Sequence, residues 1–134
     1  MGSRMFGEGE LVWPDPPPFR APVFVLSHQA REPWVRKGGT TFTFVTDGFE
    51  SALEQARAAA GDKDVRIAGG ANTVQQFIKA GLIDELQIHL APVLLGDGVR
   101  LFEHIDPEHV DLEKTRVIDS PRVTHLRYRV VKED

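Results

Sequence analysis

Two adjacent glycines, Gly69 and Gly70, constrain the fold of this chain more than any other feature of its sequence. They follow a short run typical of a β-strand, Val65–Ala68, and lead directly into a helical pattern. Glycine reaches backbone conformations that other residues avoid, and it has no side chain to block a ligand. A strand, a glycine pair and a helix in this order are typical of α/β proteins.

The residues that follow the glycine pair carry the first functional hypothesis. Ala71, Asn72 and Thr73 would open the helix, so their backbone amides have no partner within it. These amides, with the helix dipole behind them, favour a bound anion such as a phosphate. The alternative is a tight turn that only packs the helix against a sheet, and the pattern alone leaves both possibilities open.

Length and composition set the class of protein. The chain has 134 residues, of which 41% are hydrophobic and 27% charged, and this favours a single compact domain over residues 1–134. Its net charge of -4 argues against nucleic acid as a partner. Cysteine is absent, which excludes a thiol nucleophile and a cysteine-based zinc site. No apolar run reaches the ~20 residues that span a bilayer, so we expect a cytoplasmic protein with no membrane partner.

The order of local patterns predicts alternating strands and helices. A short helical turn within residues 1–13 precedes a proline-rich connector that can hold neither helix nor central strand. The remaining elements predicted before and after the glycine pair are strands at Val23–Leu26 and Thr40–Thr46, a helix at Phe49–Ala60, a strand at Leu86–Leu90, and strands at Leu112–Ile118 and Thr124–Val131. The last two are too closely connected for a parallel crossover and predict an antiparallel hairpin.

Polar residues at strand ends are the other candidates for function. Ser27 and His28 directly follow an apolar strand, where ligands gather in open α/β sheets, although they could equally begin a polar loop. His89 lies on the polar side of an alternating strand and indicates a surface position. His104 and His109 flank Asp106-Pro107 with a spacing that matches no usual metal-ligand pair, so we expect a solvated loop and no metal.

Four segments together resemble the dihydrofolate-reductase-like family, in particular the reductase domain of bacterial riboflavin biosynthesis. The last two of these segments are the more specific ones. They are the glycine turn and, at the spacing found in the family, the segment Gly81–Leu86 that continues to Ala91–Phe102. The four segments are Gly2–Phe6, Pro22–His28, Val65–Ala71, and Gly81–Leu86 continuing to Ala91–Phe102. The resemblance covers nearly the whole chain and implies a three-layer α/β/α fold with a mostly parallel central sheet and an antiparallel C-terminal hairpin.

The resemblance also implies a cofactor, NADPH, held along the carboxyl edge of the sheet. The residues that match the family's binding positions are Gly2, Ser3, Arg4, Met5, Leu26, Ser27, His28, Thr46, Ala68, Gly69, Gly70, Ala71, Asn72 and Thr73. In the family, the positions of Leu26, Ser27 and His28 lie near the adenosine 2′-phosphate. Ser3 stands where the family usually has Arg, which leaves the choice between NADPH and NADH open, with Arg4 as a candidate replacement.

Family members normally begin with some tens of residues ahead of the Gly2–Phe6 segment, including a central strand and a helix. Here that segment lies at the start of the sequence. Either the sequence begins at an internal methionine of a longer protein, or it is a natural short form, for which we expect a sheet that lacks these elements. An uncovered sheet edge is costly, and we therefore predict a homodimer or a strand exchange that fills the gap.

The expected activity is hydride transfer from NADPH to a pterin, folate or ribosylaminopyrimidine-like small molecule. The catalytic residues are unknown, because the segment that faces the substrate in the family is not in this sequence. The alternatives are a dinucleotide-binding module without turnover and a purely structural oligomer of the same fold.

Overall fold

The computed structural model describes residues 1–105 and 109–132, and these form three helices and six strands. In chain order they are α1 (Ser3–Glu10), β1 (Val23–Leu26), β2 (Trp34–Arg36), β3 (Thr40–Val45), α2 (Phe49–Ala60), α3 (Ala71–Lys79), β4 (Glu85–Leu90), β5 (Leu112–Ser120) and β6 (Val123–Val130). The chain divides into two compact units, Met1–Val74 and Gln75–Asp134, called here the first and second units. That residues 1–134 form one domain stays a prediction. No helix among the described residues is long and apolar enough to cross a membrane.

The first unit contains a three-stranded sheet in the order β1-β3-β2. β3 runs parallel to β1 and antiparallel to β2. The short turn between β2 and β3 contains Gly38 and Gly39 with φ of +80° and +81°, a left-handed conformation that glycine adopts without steric cost. β2 was not predicted, because its three residues fall within what the sequence presents as a loop.

An aromatic core fills one face of this sheet. Val25 and Phe42 are fully buried, and Phe6 of α1 packs against both. The ring of Phe6 lies 5.3 Å from that of Phe42, and Trp13 stacks on Phe42 at 5.7 Å and 14°. Burial of one such aromatic side chain contributes roughly 1.5–3 kcal/mol. This core fixes α1, and with it the start of the chain, against the sheet.

The helix α2 packs on β1 and β3 and was predicted with the same limits, Phe49–Ala60. Gly48 precedes this helix with a φ of 103°, and Gly61 follows it with a φ of 63°. Neither φ is helical, so the helix begins after Gly48 and ends before Gly61. Residues alternate across a strand, so Val45 faces away from Phe42 and Phe44. The aromatic core occupies the other face, which leaves the Val45 face for α2.

The second unit contains an antiparallel sheet in the order β4-β6-β5. β5 and β6 form the predicted C-terminal hairpin, with Ser120 and Val123 paired on either side of a two-residue turn. The Ser120 hydroxyl donates to the Val123 carbonyl at 2.6 Å and so stabilises the turn. The register shifts between Lys114 and Arg116, which places a bulge in β5.

The prediction of a mostly parallel sheet is not confirmed by the described residues. Of the four strand pairings, only that of β1 with β3 is parallel. Short turns join β2 to β3 and β5 to β6, and such turns can connect only antiparallel strands. The predicted strand at Val65–Ala68 is not formed either, because a strand requires a hydrogen-bonded neighbour and this segment pairs with none of the described strands. That an N-terminal strand and helix are lacking stays a prediction.

Candidate functional site

The glycine turn lies directly before α3, which begins at Ala71. Gly69 has a φ of +119°, and its peptide bond to Gly70 is cis. A Cβ atom added at Gly69 would lie 3.4 Å from the Met5 sulfur, whereas one added at Gly70 would meet no atom within 4 Å. Gly70 is exposed. The space over Gly70 is therefore open to a ligand that approaches the backbone.

The start of α3 offers hydrogen-bond donors to this open space. The first N–H that bonds back to the turn is that of Val74, which donates to the Gly70 carbonyl at 3.0 Å. Among the described residues, the N–H groups of Ala71 and Thr73 have no acceptor. The helix dipole adds a partial positive charge of about half an elementary charge at this end. The arrangement suits an anion, and that an anion binds here stays a prediction.

The first residues of the chain pack against the glycine turn. The Gly2 N–H donates to the Gly69 carbonyl at 2.9 Å, and the Leu26 N–H donates to the Met1 carbonyl at 2.9 Å. A Cβ atom at Gly2 would come within 2.7 Å of the Thr73 hydroxyl oxygen, and this side chain is buried. Glycine at position 2 therefore permits a close approach between the N-terminal segment and α3.

The ends of β1 and β3 complete the site. The Ser27 N–H donates to the Val45 carbonyl at 3.0 Å, which brings Ser27 beside the residue that precedes Thr46. The Ser27 hydroxyl accepts from the Gln29 N–H at 3.1 Å and lies 3.0 Å from the Gln29 carbonyl. Its hydroxyl thus takes part in the turn of a polar loop, which was one of the two roles expected for it. His28 and Thr46 are exposed.

Few charged groups lie in this set of residues. Ser3 and Arg4 are exposed in the first turn of α1. The Met1 ammonium donates to the Phe24 carbonyl at 2.7 Å, and burial lowers the pKa of this α-amino group below its ordinary value. Arg4 is the one residue in the predicted set whose side chain is positively charged at any physiological pH.

The sequence pattern missed the main-chain contacts that hold the site together. The carbonyl groups of Met1, Val45 and Gly69 each accept a hydrogen bond that joins two of the predicted segments. Backbone groups carry no signal in the residue types, so only the structure brings these segments together. Ala68 directly precedes the turn, and Asn72 lies in the first turn of α3.

The described residues hold no group of three or more His, Cys, Asp or Glu side chains that could bind a metal ion. His104 lies 3.7 Å from the Glu103 carboxylate and His109 lies 3.3 Å from that of Asp111. Both histidines are exposed. Asp106–Glu108, the middle of the loop considered above, lie outside the described residues.

A glycine turn with an open approach and a helix start behind it is an arrangement that α/β proteins use to bind anions. The sequence pattern of one family, described as the RibD C-terminal domain, matches residues 7–126. The chain belongs to this family.

Several known proteins are similar to the chain over part of their length. The riboflavin biosynthesis protein RibD of Corynebacterium ammoniagenes is 40% identical over 62 residues, which are 42% of this chain and 18% of that protein. The YwjB protein of Bacillus subtilis is 38% identical over 69 residues, which are 49% of this chain and 37% of that protein. The chain thus spans well under half the length of the curated relatives it matches.

Solved structures agree on the fold. A putative riboflavin biosynthesis protein from Shewanella sp. PV-4 is 26% identical, with a TM-score of 0.75 over 98% of this chain and 72% of that one. The Saccharomyces riboflavin biosynthesis reductase Rib7 has a TM-score of 0.56 at 18% identity, over 84% of this chain and 57% of that one. The α/β fold of the family is therefore shared by this chain.

Proposed function

We propose that this chain provides the cofactor-binding part of an NADPH-dependent reductase of the riboflavin-pathway type. The substrate class we propose is a ribosylaminopyrimidine-like small molecule, with pterins and folates as the other members of the expected range. The family membership supports the reaction class, and two similar proteins, a riboflavin biosynthesis protein and a riboflavin biosynthesis reductase, point to the same chemistry.

One observation carries the proposal, namely the open glycine turn before α3. A dinucleotide pyrophosphate needs close approach to the backbone and donors without other partners. Gly70 leaves that approach free, and the amides of Ala71 and Thr73 supply the donors. The residues that are present therefore fit the phosphates of NADPH.

The other predicted residues have distinct roles in the proposed site. Gly2 and Met5 bring the N-terminal segment against the turn, as their contacts with Thr73 and Gly69 indicate. Ser3 stands where the family usually has an arginine. Arg4, exposed at the start of α1, would pair with a phosphate instead. His28 and Thr46, exposed at the two strand ends, would line the adenosine side.

When bound, NADPH would supply the hydride. This chain would hold the cofactor in one orientation and keep water from the phosphates. We assign no proton donor. Glu10 forms an ion pair with Arg31, so its carboxylate already has a structural role.

Titration of the chain with NADPH, followed by cofactor fluorescence, tests the proposal. Gly70→Val is the diagnostic variant, because the added side chain meets no protein atom near its Cβ but occupies the space needed by the pyrophosphate. We expect this variant to bind NADPH about 100-fold more weakly, because the valine side chain would clash with the pyrophosphate. Its circular dichroism spectrum should stay unchanged. Gly98→Val is the matched control, since Gly98 also has no neighbour within 4 Å and lies outside the proposed site. Equal affinity of the two variants would contradict the proposal.

The same titration separates the enzyme from a binding module. Oxidation of bound NADPH on addition of a ribosylaminopyrimidine supports a reductase. Tight binding without oxidation supports a dinucleotide-binding module. Absence of NADPH binding would leave only a structural role for the fold.

We also propose that the chain functions as a homodimer. Its second unit exposes large apolar side chains that lie close together in sequence, and exposed apolar surface favours association. The most exposed are Leu90, Val93, Leu94, Leu95 and Val99. Size-exclusion chromatography with light scattering should give twice the monomer mass of 14.9 kDa, and a well-folded monomer at all concentrations would refute the dimer.

A further inference from the structure

One face of the antiparallel sheet in the second unit brings basic and histidine side chains into two adjacent rows. Arg127 of β6 is paired with Gln87 of β4 on one side and with Arg116 of β5 on the other. In the next row on the same face, His125 is paired with His89. These residues are up to forty positions apart and only the strand register aligns them, so no local sequence pattern groups them.

These rows line an open cavity of about 260 Å³ on the surface of the sheet. The lining residues are Gln87, His89, Arg116, Ile118, His125, Leu126 and Arg127. Typical pockets for drug-sized ligands occupy roughly 300–1,000 Å³. The cavity is therefore too small for a dinucleotide and suits a small ion or a small phosphorylated molecule.

The charge of the lining favours an anion. Two arginines line the cavity and no carboxylate does. Arg127 uses one terminal nitrogen to bind Glu85 at 2.6 Å, which leaves most of its guanidinium donors unused. Arg116 has no ion-pair partner among the described residues. Arg116 is exposed, so its guanidinium donors are open to an acceptor from solution.

The histidine pair adds a further donor. The Nδ1 atoms of His89 and His125 lie 2.7 Å apart, so one ring donates through a protonated Nδ1 and the other accepts through an unprotonated Nδ1. A neutral ring with a bare Nδ1 carries its proton on Nε2. The pair therefore always presents at least one Nε2–H outside its own hydrogen bond.

We propose that this cavity binds a phosphate group, either as the free ion or as part of a small phosphate ester. A dianion satisfies both arginines and accepts from the histidine pair and from the Gln87 amide. A metal ion at the histidine pair is the competing occupant. Two positive guanidinium groups line the same cavity, and the described residues offer no third metal ligand beside the pair, so the charge favours the anion.

Histidine-ring NMR with added inorganic phosphate tests this assignment, with His104 and His109 as internal controls because both are exposed and outside the cavity. The ring signals of His89 and His125 should shift and saturate at about millimolar phosphate, as expected for a few exposed charge-assisted bonds. Arg116→Gln should weaken this binding about tenfold. Arg122→Gln, which changes an exposed arginine in the turn of the same hairpin, should leave it unchanged.

Three results would overturn the assignment. These are shifts of His89 and His125 no larger than those of His104 and His109, equal phosphate affinity in Arg116→Gln and Arg122→Gln, or a response to Zn²⁺ without one to phosphate. Glycerol phosphate in a parallel titration identifies the source of the phosphate group. Tighter binding of the ester than of the free ion supports a phosphorylated small molecule, and equal binding supports the free ion.

Discussion

The two units of the chain differ in where they place their apolar side chains. In the first unit, Val25 and Phe42 are fully buried and Phe6 is 5% exposed. In the second unit, Leu94 is 100% and Val99 88% exposed. The first unit therefore has a buried aromatic core, although Leu11 and Val35 are exposed. The second unit carries a run of exposed apolar side chains that the proposed dimer would cover.

This difference bears on function. The proposed cofactor site is formed entirely by residues of the first unit, and its N-terminal segment is fixed by the aromatic core through Phe6. Sites held by packed elements keep their geometry more precisely than sites on unsupported loops. The stability of the first unit should consequently control cofactor affinity, and changes on the exposed surface of the second should not.

The largest expected effect comes from the centre of the aromatic core. Phe42→Ala removes a fully buried ring that contacts Phe6, Trp13 and Trp34, and should lower the free energy of unfolding by about 3–5 kcal/mol. Urea unfolding followed by tryptophan fluorescence measures it. Val35→Ala in the neighbouring strand, where the side chain is 72% exposed, is the control and should cost less than about 0.5 kcal/mol. Similar losses in the two variants would mean that this cluster is not the core.

A second comparison uses two glycines of α1. A Cβ atom at Gly9 would lie 2.1 Å from the Trp13 ring, so Gly9→Ala must displace that ring and should cost about 1–3 kcal/mol. A Cβ atom at Gly7 meets nothing within 4 Å, and Gly7→Ala should instead stabilise the helix by about 0.5–1 kcal/mol. Thermal unfolding of both variants shows whether each substitution raises or lowers the stability. If both substitutions changed the stability in the same direction, this packing of Trp13 would be refuted.

A smaller effect is expected at the edge of the core. The Arg31 guanidinium lies 5.0 Å from the Phe44 ring centre and 5.3 Å from that of Phe6, and it pairs with Glu10. Because Arg31 is partly exposed, Arg31→Gln should cost only about 1 kcal/mol. Arg66→Gln, in an exposed segment of the same unit, is the control and should change the unfolding midpoint in urea very little. Equal shifts of the midpoint would contradict the role given to Arg31.

The smallest effect on stability should occur in the second unit. Leu94 is fully exposed, so Leu94→Ser should change the free energy of unfolding by less than about 0.5 kcal/mol. The same change should weaken self-association, which analytical ultracentrifugation measures as a rise in the dimer dissociation constant. An unaltered dissociation constant would show that Leu94 lies outside the dimer interface.

Elements with clear local signals could be predicted from the sequence. Helix α2 has an apolar face and a glycine at each end, and its limits were confirmed as Phe49–Ala60. The C-terminal hairpin was confirmed because two alternating runs flank a short turn. The predicted strand at Val65–Ala68 failed, since β propensity describes single residues while a strand depends on a neighbour that the sequence does not specify.

The candidate cofactor site shows the same difference between local sequence signals and contacts that join distant segments. The glycine pair and the start of α3 could be located from residue types, because glycine and helix starts carry a local signal. The contact of Gly2 with Thr73 and the bonds through the Met1 and Val45 carbonyls could not, since they join segments distant in sequence through backbone atoms. The rows of arginine and histidine in the second unit stayed hidden for the same reason.

Mapping of backbone amide NMR shifts during an NADPH titration tests the central claim most directly. The amides of Gly70, Ala71 and Thr73 should show the largest shifts, with smaller changes at Gly2 and Ser27. The amides of β5 should not move, since none of its residues belongs to the proposed cofactor site. Shifts confined to the second unit, or none at all at saturating NADPH, would contradict the assignment of the glycine turn as the cofactor site.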